Sequence, residues 1–87
     1  MADVLEIDVA SALAEFESQA DSTWPSWDFC LLYEALPYAP ITLSAPSAEA
    51  AALTMSQLVD KLNRMAAQMG FPPQFSWASG VCPPGGR

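Results

Sequence analysis

Few side chains in this 87-residue sequence are suited to catalysis, because the chain contains no His. Nucleophilic catalysis by a Cys–His or Ser–His pair is therefore excluded for the chain acting alone. A Ser–Lys pair would need Lys61, the sole Lys, which is predicted to lie on the polar face of a helix. The carboxylate pairs Glu6/Asp8 and Glu15/Glu17 have a spacing at which helical residues do not face each other. The sequence thus predicts a protein that is not an enzyme.

The candidate metal ligands are also too few for a specific site. Asp3, Glu6 and Asp8 can each ligate a hard cation, but they do not form the Asp-x-Asp-x-Asp loop of a calcium site. Cys30 and Cys82 are the sole cysteines, and two thiolates without His cannot complete a four-ligand zinc site. We therefore expect no metal and no cofactor. Because the first residues do not read as a secretory signal, both cysteines are predicted to be free thiols in a reducing cytoplasm.

The charge distribution is the strongest signal in the sequence. All ten acidic residues precede the first basic one: Asp3, Glu6, Asp8, Glu15, Glu17, Asp21, Asp28, Glu34, Glu49 and Asp60. The net charge of −7 argues against direct binding to nucleic acid or to an anionic membrane, both of which need clustered Lys and Arg. Repulsion among the carboxylates predicts raised pKa values, and hence a fold that gains stability as the pH falls from about 7 towards about 5.

The clearest secondary-structure element is a helix over 47–69. Ser44 and Ser47 are both candidate N-caps. Apolar residues then recur at helical spacing and predict one buried face: Ala51, Met55, Leu58, Leu62, Met65 and Met69. Gly70 is placed to be the left-handed residue that ends the helix.

A second helix is predicted near the amino terminus, over about 4–19. Asp3 and Glu6 have the spacing of a capping box. The apolar face of this helix would consist of Leu5, Val9, Ala12, Leu13 and Phe16. The competing interpretation is a short strand through Leu5, Ile7 and Val9, since the alternation with acidic residues has the period of a strand.

The middle of the chain allows two interpretations. Residues 27–36 read as a buried helix that ends at Pro37. Residues 29–33 also read as a core strand that turns into a second strand at 41–43. A short apolar run does not distinguish them. We predict a mostly α domain of two to three helices, with an α+β domain containing a short hairpin at 29–44 as the alternative.

The composition changes after Gly70, with four Pro and four Gly in the last eighteen residues. This change predicts a compact acidic helical domain over 1–70 and an extended Pro- and Gly-rich arm over 71–87. The arm carries more large apolar side chains than a solvated linker needs, namely Phe71, Phe75, Trp77 and Val81. It is therefore expected to pack against another surface.

These features favour a protein-interaction module that acts as an inhibitor or decoy at a basic, nucleic-acid-binding surface. Small phage antagonists of restriction and CRISPR systems act this way as a class, an analogy that rests on size and charge alone. The expected binding array is Asp3, Glu6, Asp8, Glu15, Glu17, Asp21 and Asp28. Trp24 and Trp27 would form an aromatic platform beside it, or would instead close the top of a small core.

The alternative function is an assembly component, such as a virion accessory protein, an adaptor or an assembly chaperone. In that case the arm would dock into a neighbouring subunit through Phe75 and Trp77. A homodimer would use the helix face formed by Met55, Leu62 and Met69. Either function is expected in the cytoplasm, which means the host cytoplasm or the virion if the chain is phage-encoded.

Overall fold

The computed structural model describes residues 7–82. They form two helices and three strands: α1 (Val9–Glu17), β1 (Ser26–Tyr33), β2 (Leu36–Ser44), α2 (Ala48–Gln68) and β3 (Phe75–Ser79). The strands make one antiparallel sheet in the order β2-β1-β3. The prediction of a mostly α domain is therefore wrong, because the described part of the chain is an α+β domain.

The error arises at residues 27–36, which form β1 and the turn after it rather than a buried helix. Phe29 and Leu31 are buried in the core with α2. Cys30, between them, is buried as well, although it faces the other side of the sheet. With apolar residues on both faces, β1 lacks the alternation that distinguishes a strand from a helix.

The hairpin that was the alternative interpretation is present. Its pairing runs from Ser26 opposite Ser44 to Tyr33 opposite Leu36, with a bulge where the register shifts between Leu31 and Leu32. The two prolines of β2 are tolerated because β2 is an edge strand, where a missing N–H needs no partner.

The turn of the hairpin is formed by two residues with positive φ, 55° at Glu34 and 68° at Ala35. Such a pair makes a type I′ turn, whose twist suits the flanking strands and which favours Asn and Gly. A residue with a Cβ is strained there by about 1–2 kcal/mol. The sequence contains neither Asn nor Gly at this turn, so the usual hairpin signal is missing.

Helix α2 has the caps that its sequence predicts. Ser47 is the N-cap, and its Oγ accepts a hydrogen bond from the N–H of Ala50 at 3.2 Å. Gly70 follows the helix with φ 88°. The N–H of Phe71 donates to the carbonyl of Ala66 at 2.9 Å, which is the long bond of a Schellman motif.

The buried face of α2 packs on the sheet. It consists of Ala51, Met55, Leu58, Val59, Leu62 and Ala66. The prediction that Met69 continues this face is wrong, since Met69 is the C-cap residue and is 48% exposed. The face ends where the left-handed Gly70 turns the chain away from the helix axis.

Helix α1 is shorter in the described residues than the predicted helix over 4–19. It begins at Val9, after Asp8 as N-cap, and ends at Glu17. Its buried residue, Ala12, joins the core formed by α2 and the sheet. The predicted capping box precedes the described part of the chain.

Residues 75–79, which the composition assigned to an extended arm, form β3. This strand pairs with β1 from Ser79 opposite Phe29 to Phe75 opposite Tyr33. Phe75 is 5% exposed and belongs to the core. The first part of the predicted arm is therefore a strand of the sheet.

Cys30 and Cys82 form a disulfide, so the prediction of two free thiols is wrong. Their Cα atoms are 4.8 Å apart, although 52 positions separate them in sequence. The fold brings them together because β3 runs beside β1 with Ala78 opposite Cys30, and the chain bends at Gly80, where φ is 90°. The two cysteines are close because of strand pairing. The prediction of free thiols was based on the expected cell compartment, which does not determine whether two cysteines are neighbours in the fold.

Replacing Ala35 with Gly should stabilise the domain by about 1 kcal/mol, because Gly adopts positive φ without the steric cost of a Cβ. Ala67→Gly is the matched control, since Ala67 is exposed within α2 and the same change there should destabilise by about 1 kcal/mol. Urea-unfolding midpoints measure both effects. An Ala35→Gly variant less stable than the wild type would contradict the assigned turn.

Reducing the disulfide should lower the free energy of unfolding by about 4 kcal/mol, which is the chain-entropy value for a loop of this length. Urea unfolding with and without reductant measures the difference. Cys82→Ser serves as the control: it should unfold like the reduced wild type and should not respond to reductant. Equal stability of the oxidised and reduced wild type would rule out this contribution.

Candidate functional site

Two of the described carboxylates are neutralised within the chain. Glu15 on α1 is ion-paired with Lys61 on α2, and Asp60 is ion-paired with Arg64 one turn further along α2. Exposed pairs of this kind contribute little to stability. Their importance is electrostatic, since they occupy both basic side chains found among residues 7–82.

Asp8 and Asp21 make local hydrogen bonds that favour their ionised forms. Asp8 accepts from the Oγ of Ser11 at 2.6 Å and from its N–H at 3.1 Å, and these bonds lower the pKa of Asp8. Asp21 accepts from the N–H of Thr23 at 2.9 Å and from its Oγ1 at 2.8 Å, and the pKa of Asp21 is lowered in the same way. The repulsion argument predicted raised values, so hydrogen bonding outweighs repulsion at these two residues.

Glu17 and Asp28 come together at the end of β2 that leads into α2. The Oε2 of Glu17 accepts from the N–H of Ser44 at 3.0 Å, and the Oδ1 of Asp28 accepts from the Oγ1 of Thr42 at 2.9 Å. Thr42 and Ser44 are alternate residues of one strand, so both carboxylates lie at one corner of the sheet. Asp21 lies in the loop that joins α1 to β1 there. We call Glu17, Asp21 and Asp28 the acidic corner.

Two acids that the sequence argument did not select also lack a counter-cation among residues 7–82. Glu34 is in the hairpin turn and Glu49 is in the first turn of α2. No sequence signal separates these two acids from Glu15, which also lacks a base within i±4 but is paired with Lys61 in the fold. Asp3 and Glu6, which belong to the predicted array, lie outside the described residues.

The two tryptophans predicted as a platform are both half-buried. The indole Nε1 of Trp27 donates to the carbonyl of Ala45 at 2.9 Å, and its ring packs against the core. The N–H of Trp24 donates to the carbonyl of Asp21 at 3.0 Å, which places Trp24 in a turn. Trp27 therefore closes one end of the core, which is the alternative that the sequence left open.

The side chains expected to dock on a neighbouring subunit pack within the chain. Phe75 contacts the rings of Tyr33 and Tyr38, with centroid distances of 4.8 and 5.3 Å. Trp77 is half-buried and lies edge-to-face with Phe29 at 5.2 Å. Phe75 in particular is not exposed as an anchor for a partner.

The helix face considered for a homodimer is covered by the chain itself. Met55 and Leu62 have no exposed surface, because they pack in the core with the sheet. Met69 is exposed, but it lies beyond the last turn of the helix. This face offers no continuous apolar surface for a second copy.

An open groove of about 540 Å³ separates α1 from α2. It is lined by Glu15, Phe16, Gln19, Ser56, Gln57, Asp60, Lys61 and Arg64. The size is that of a ligand site. Both bases that line the groove, Lys61 and Arg64, are ion-paired with carboxylates that line it as well, Glu15 and Asp60.

Residues 7–82 contain neither a cluster of metal-ligating side chains nor a membrane-spanning helix. No group of three or more Cys, Asp or Glu side chains is arranged to hold a metal ion. No helix in this range is both long enough and apolar enough to cross a membrane.

Comparison with models of protein families, with curated proteins and with solved structures gave no match to this chain.

Acidification should weaken the fold through Asp8 and Asp21. A carboxylate whose pKa is lowered on folding contributes stability above its unfolded pKa of about 4, and this contribution is lost as the pH falls through the folded value. The unfolding midpoint of the wild type should therefore fall between about pH 5 and about pH 2.

The control is the double variant Asp8→Asn with Asp21→Asn, whose amide oxygens still accept from the N–H groups of Ser11 and Thr23 but do not titrate. Its midpoint should fall less than that of the wild type over the same range. Thermal unfolding across a pH series measures both proteins. Parallel curves would show that these two carboxylates do not contribute to the pH dependence.

Proposed function

We propose that this chain is a non-enzymatic interaction domain that binds a basic surface of a partner protein. The supporting observation is that Lys61 and Arg64, the basic side chains among residues 7–82, are each held by a carboxylate. Of the eight acidic side chains in that range, six have no counter-cation there. The described surface therefore presents an uncompensated negative field that attracts a basic partner.

The acidic corner is the part of this surface that we assign to first contact. Glu17 and Asp28 are hydrogen-bonded to β2, and Asp21 is hydrogen-bonded within its own loop. These bonds hold the carboxylates in place without neutralising them. A pre-positioned charge loses less side-chain entropy on binding, and complementary charges raise the association rate more than the affinity.

A basic surface of this kind is often a groove that binds DNA or RNA, in which case the chain acts as a decoy and inhibits its partner. The net charge of −7 supports this form of the proposal. Because a decoy and a nucleic acid occupy the same groove, duplex DNA should displace the chain from the partner. A basic surface with another role would be occupied by DNA at the weaker, non-specific affinity alone, so displacement would need far more DNA.

The disulfide indicates the kind of compartment in which the chain would bind its partner. Disulfides persist in oxidising compartments and on the surfaces of cells and virions, and they are rare in a reducing cytosol. The bridge between Cys30 and Cys82 therefore favours an oxidising setting over the cytoplasm expected from the sequence. A virion surface is compatible with both the bridge and the decoy proposal.

The test compares two variants that change the net charge equally. Asp21→Asn with Asp28→Asn removes two uncompensated charges at the acidic corner and keeps the oxygens that accept their hydrogen bonds. Glu15→Gln with Asp60→Asn removes two charges that are already paired with cations. The first variant should associate with the partner about tenfold more slowly at physiological salt, and the second should change the rate by about twofold or less.

Binding kinetics at two salt concentrations, on the partner isolated with the wild-type chain, measure these rates. The wild-type association rate should fall as salt rises, because salt screens exposed charges. Equal rates for the wild type and both variants, or a rate independent of salt, would contradict the proposed function.

A further inference from the structure

The two outer edges of the sheet differ in how they are protected. On β2, the residues that face away from β1 include Pro37 and Pro40, which have no N–H, and Ser44, whose N–H donates to Glu17. Between Pro40 and Ser44, Thr42 alone keeps an outward N–H without a partner among residues 7–82. Proline and a capping side chain both hinder the addition of another strand.

On β3, the outward backbone groups of one residue, Phe75, are hydrogen-bonded to a side chain. The N–H of Phe75 donates to the Oδ1 of Asn63 at 2.7 Å, and the carbonyl of Phe75 accepts from the Nδ2 of Asn63 at 3.3 Å. Both backbone groups of Phe75 therefore face away from β1, and by strand alternation so do those of Trp77 and Ser79. The N–H of Gly80 donates inward to β1, as the alternation requires.

The outward backbone groups of Trp77 and Ser79 form an open stretch of sheet edge. No side chain or loop within residues 7–82 is hydrogen-bonded to them. The strand also contains no charged residue and no Pro, the features that usually discourage pairing at an edge. An edge of this kind is a template for a strand from another molecule.

The charge of the domain indicates what the added strand should carry. Six of the eight carboxylates among residues 7–82 have no counter-cation there, and β3 itself contributes no charged side chain. A basic segment that lies along β3 would therefore approach a domain of opposite charge, whereas an acidic segment would be repelled.

We propose that an extended, basic segment of the partner pairs with β3 at Trp77 and Ser79 and adds a fourth strand to the sheet; this inference rests on the proposed function. Backbone hydrogen bonds would hold the segment, and its Lys or Arg side chains would be attracted by the uncompensated carboxylates of the domain. A second copy of this chain is disfavoured at the same edge, because each copy carries a net charge of −7.

The probe is the peptide Lys-Thr-Lys-Val-Lys-Thr-Lys-Val, and its control is the same peptide N-methylated at every residue. Both peptides carry the same charge, but the control lacks the N–H donors of both strand edges. On the wild-type protein the control should bind about tenfold more weakly. The amide hydrogens of Trp77 and Ser79 should become protected from exchange when the probe is added, whereas that of Thr42 should not.

Two proline variants test the same edge from the protein side. Ser79→Pro removes an outward N–H without breaking a hydrogen bond to β1, and it should weaken the binding of the probe peptide about tenfold. Thr42→Pro is the matched control, because it removes an outward N–H from β2 instead, and it should leave the affinity within about twofold. Far-UV circular dichroism checks that both variants retain the wild-type fold.

Each outcome bears on the proposal. Weaker binding of the N-methylated peptide, together with protection of Trp77 and Ser79, supports it. Equal affinity for the two peptides would overturn it and leave the proposed function standing, since charge alone would then account for binding. If the amide hydrogens of Trp77 and Ser79 are already protected from exchange in the protein without peptide, a second copy or the chain itself occupies this edge, and that result would also overturn the proposal. Failure of both peptides to bind would overturn the proposed function as well.

Discussion

Strand β1 is the described strand with a neighbour on each side, and the arrangement of the domain depends on its pairing. Phe29 and Leu31 bring one face of β1 into the core with α2, while Cys30 on the other face receives the disulfide from Cys82. The partner strand β3 comes from far along the chain, so its pairing carries a loop-closure cost in entropy. The aromatic contacts of Phe75 and the disulfide are what offset that cost at this edge.

The elements that could be predicted are those whose signals are local. Helix α2 was predicted almost to the residue, because Ser47, the apolar stripe and Gly70 all agree with its place in the fold. The hairpin was predicted as the second interpretation and not as the first. The apolar Cys30 interrupts the alternation of polar and apolar residues in β1, and the turn at Ala35 lacks Gly. Strand β3 and the disulfide were missed, because both depend on a partner that is distant in sequence.

The charge of the site could be read from the sequence, but its geometry could not. The count of acidic residues correctly indicated an excess of negative charge. However, a count treats every carboxylate as equivalent. The structure separates them: Glu15 is neutralised by Lys61, and Glu17 bonds the backbone of β2. Such contacts arise between segments that are far apart in the chain. Charge density alone therefore predicts the class of partner and not the residues that meet it.

The same contacts show why the polar faces of the two helices are not simply solvated. Glu17 of α1 bonds an outward N–H at the edge of β2, and Asn63 of α2 bonds both outward groups of Phe75 at the edge of β3. Each helix thus contributes one polar side chain that protects a sheet edge. On β2 the prolines protect most of the remaining edge and leave the outward N–H of Thr42, whereas on β3 the protection stops at Phe75. The residues that follow, Trp77 and Ser79, are therefore where the sheet is able to accept another strand.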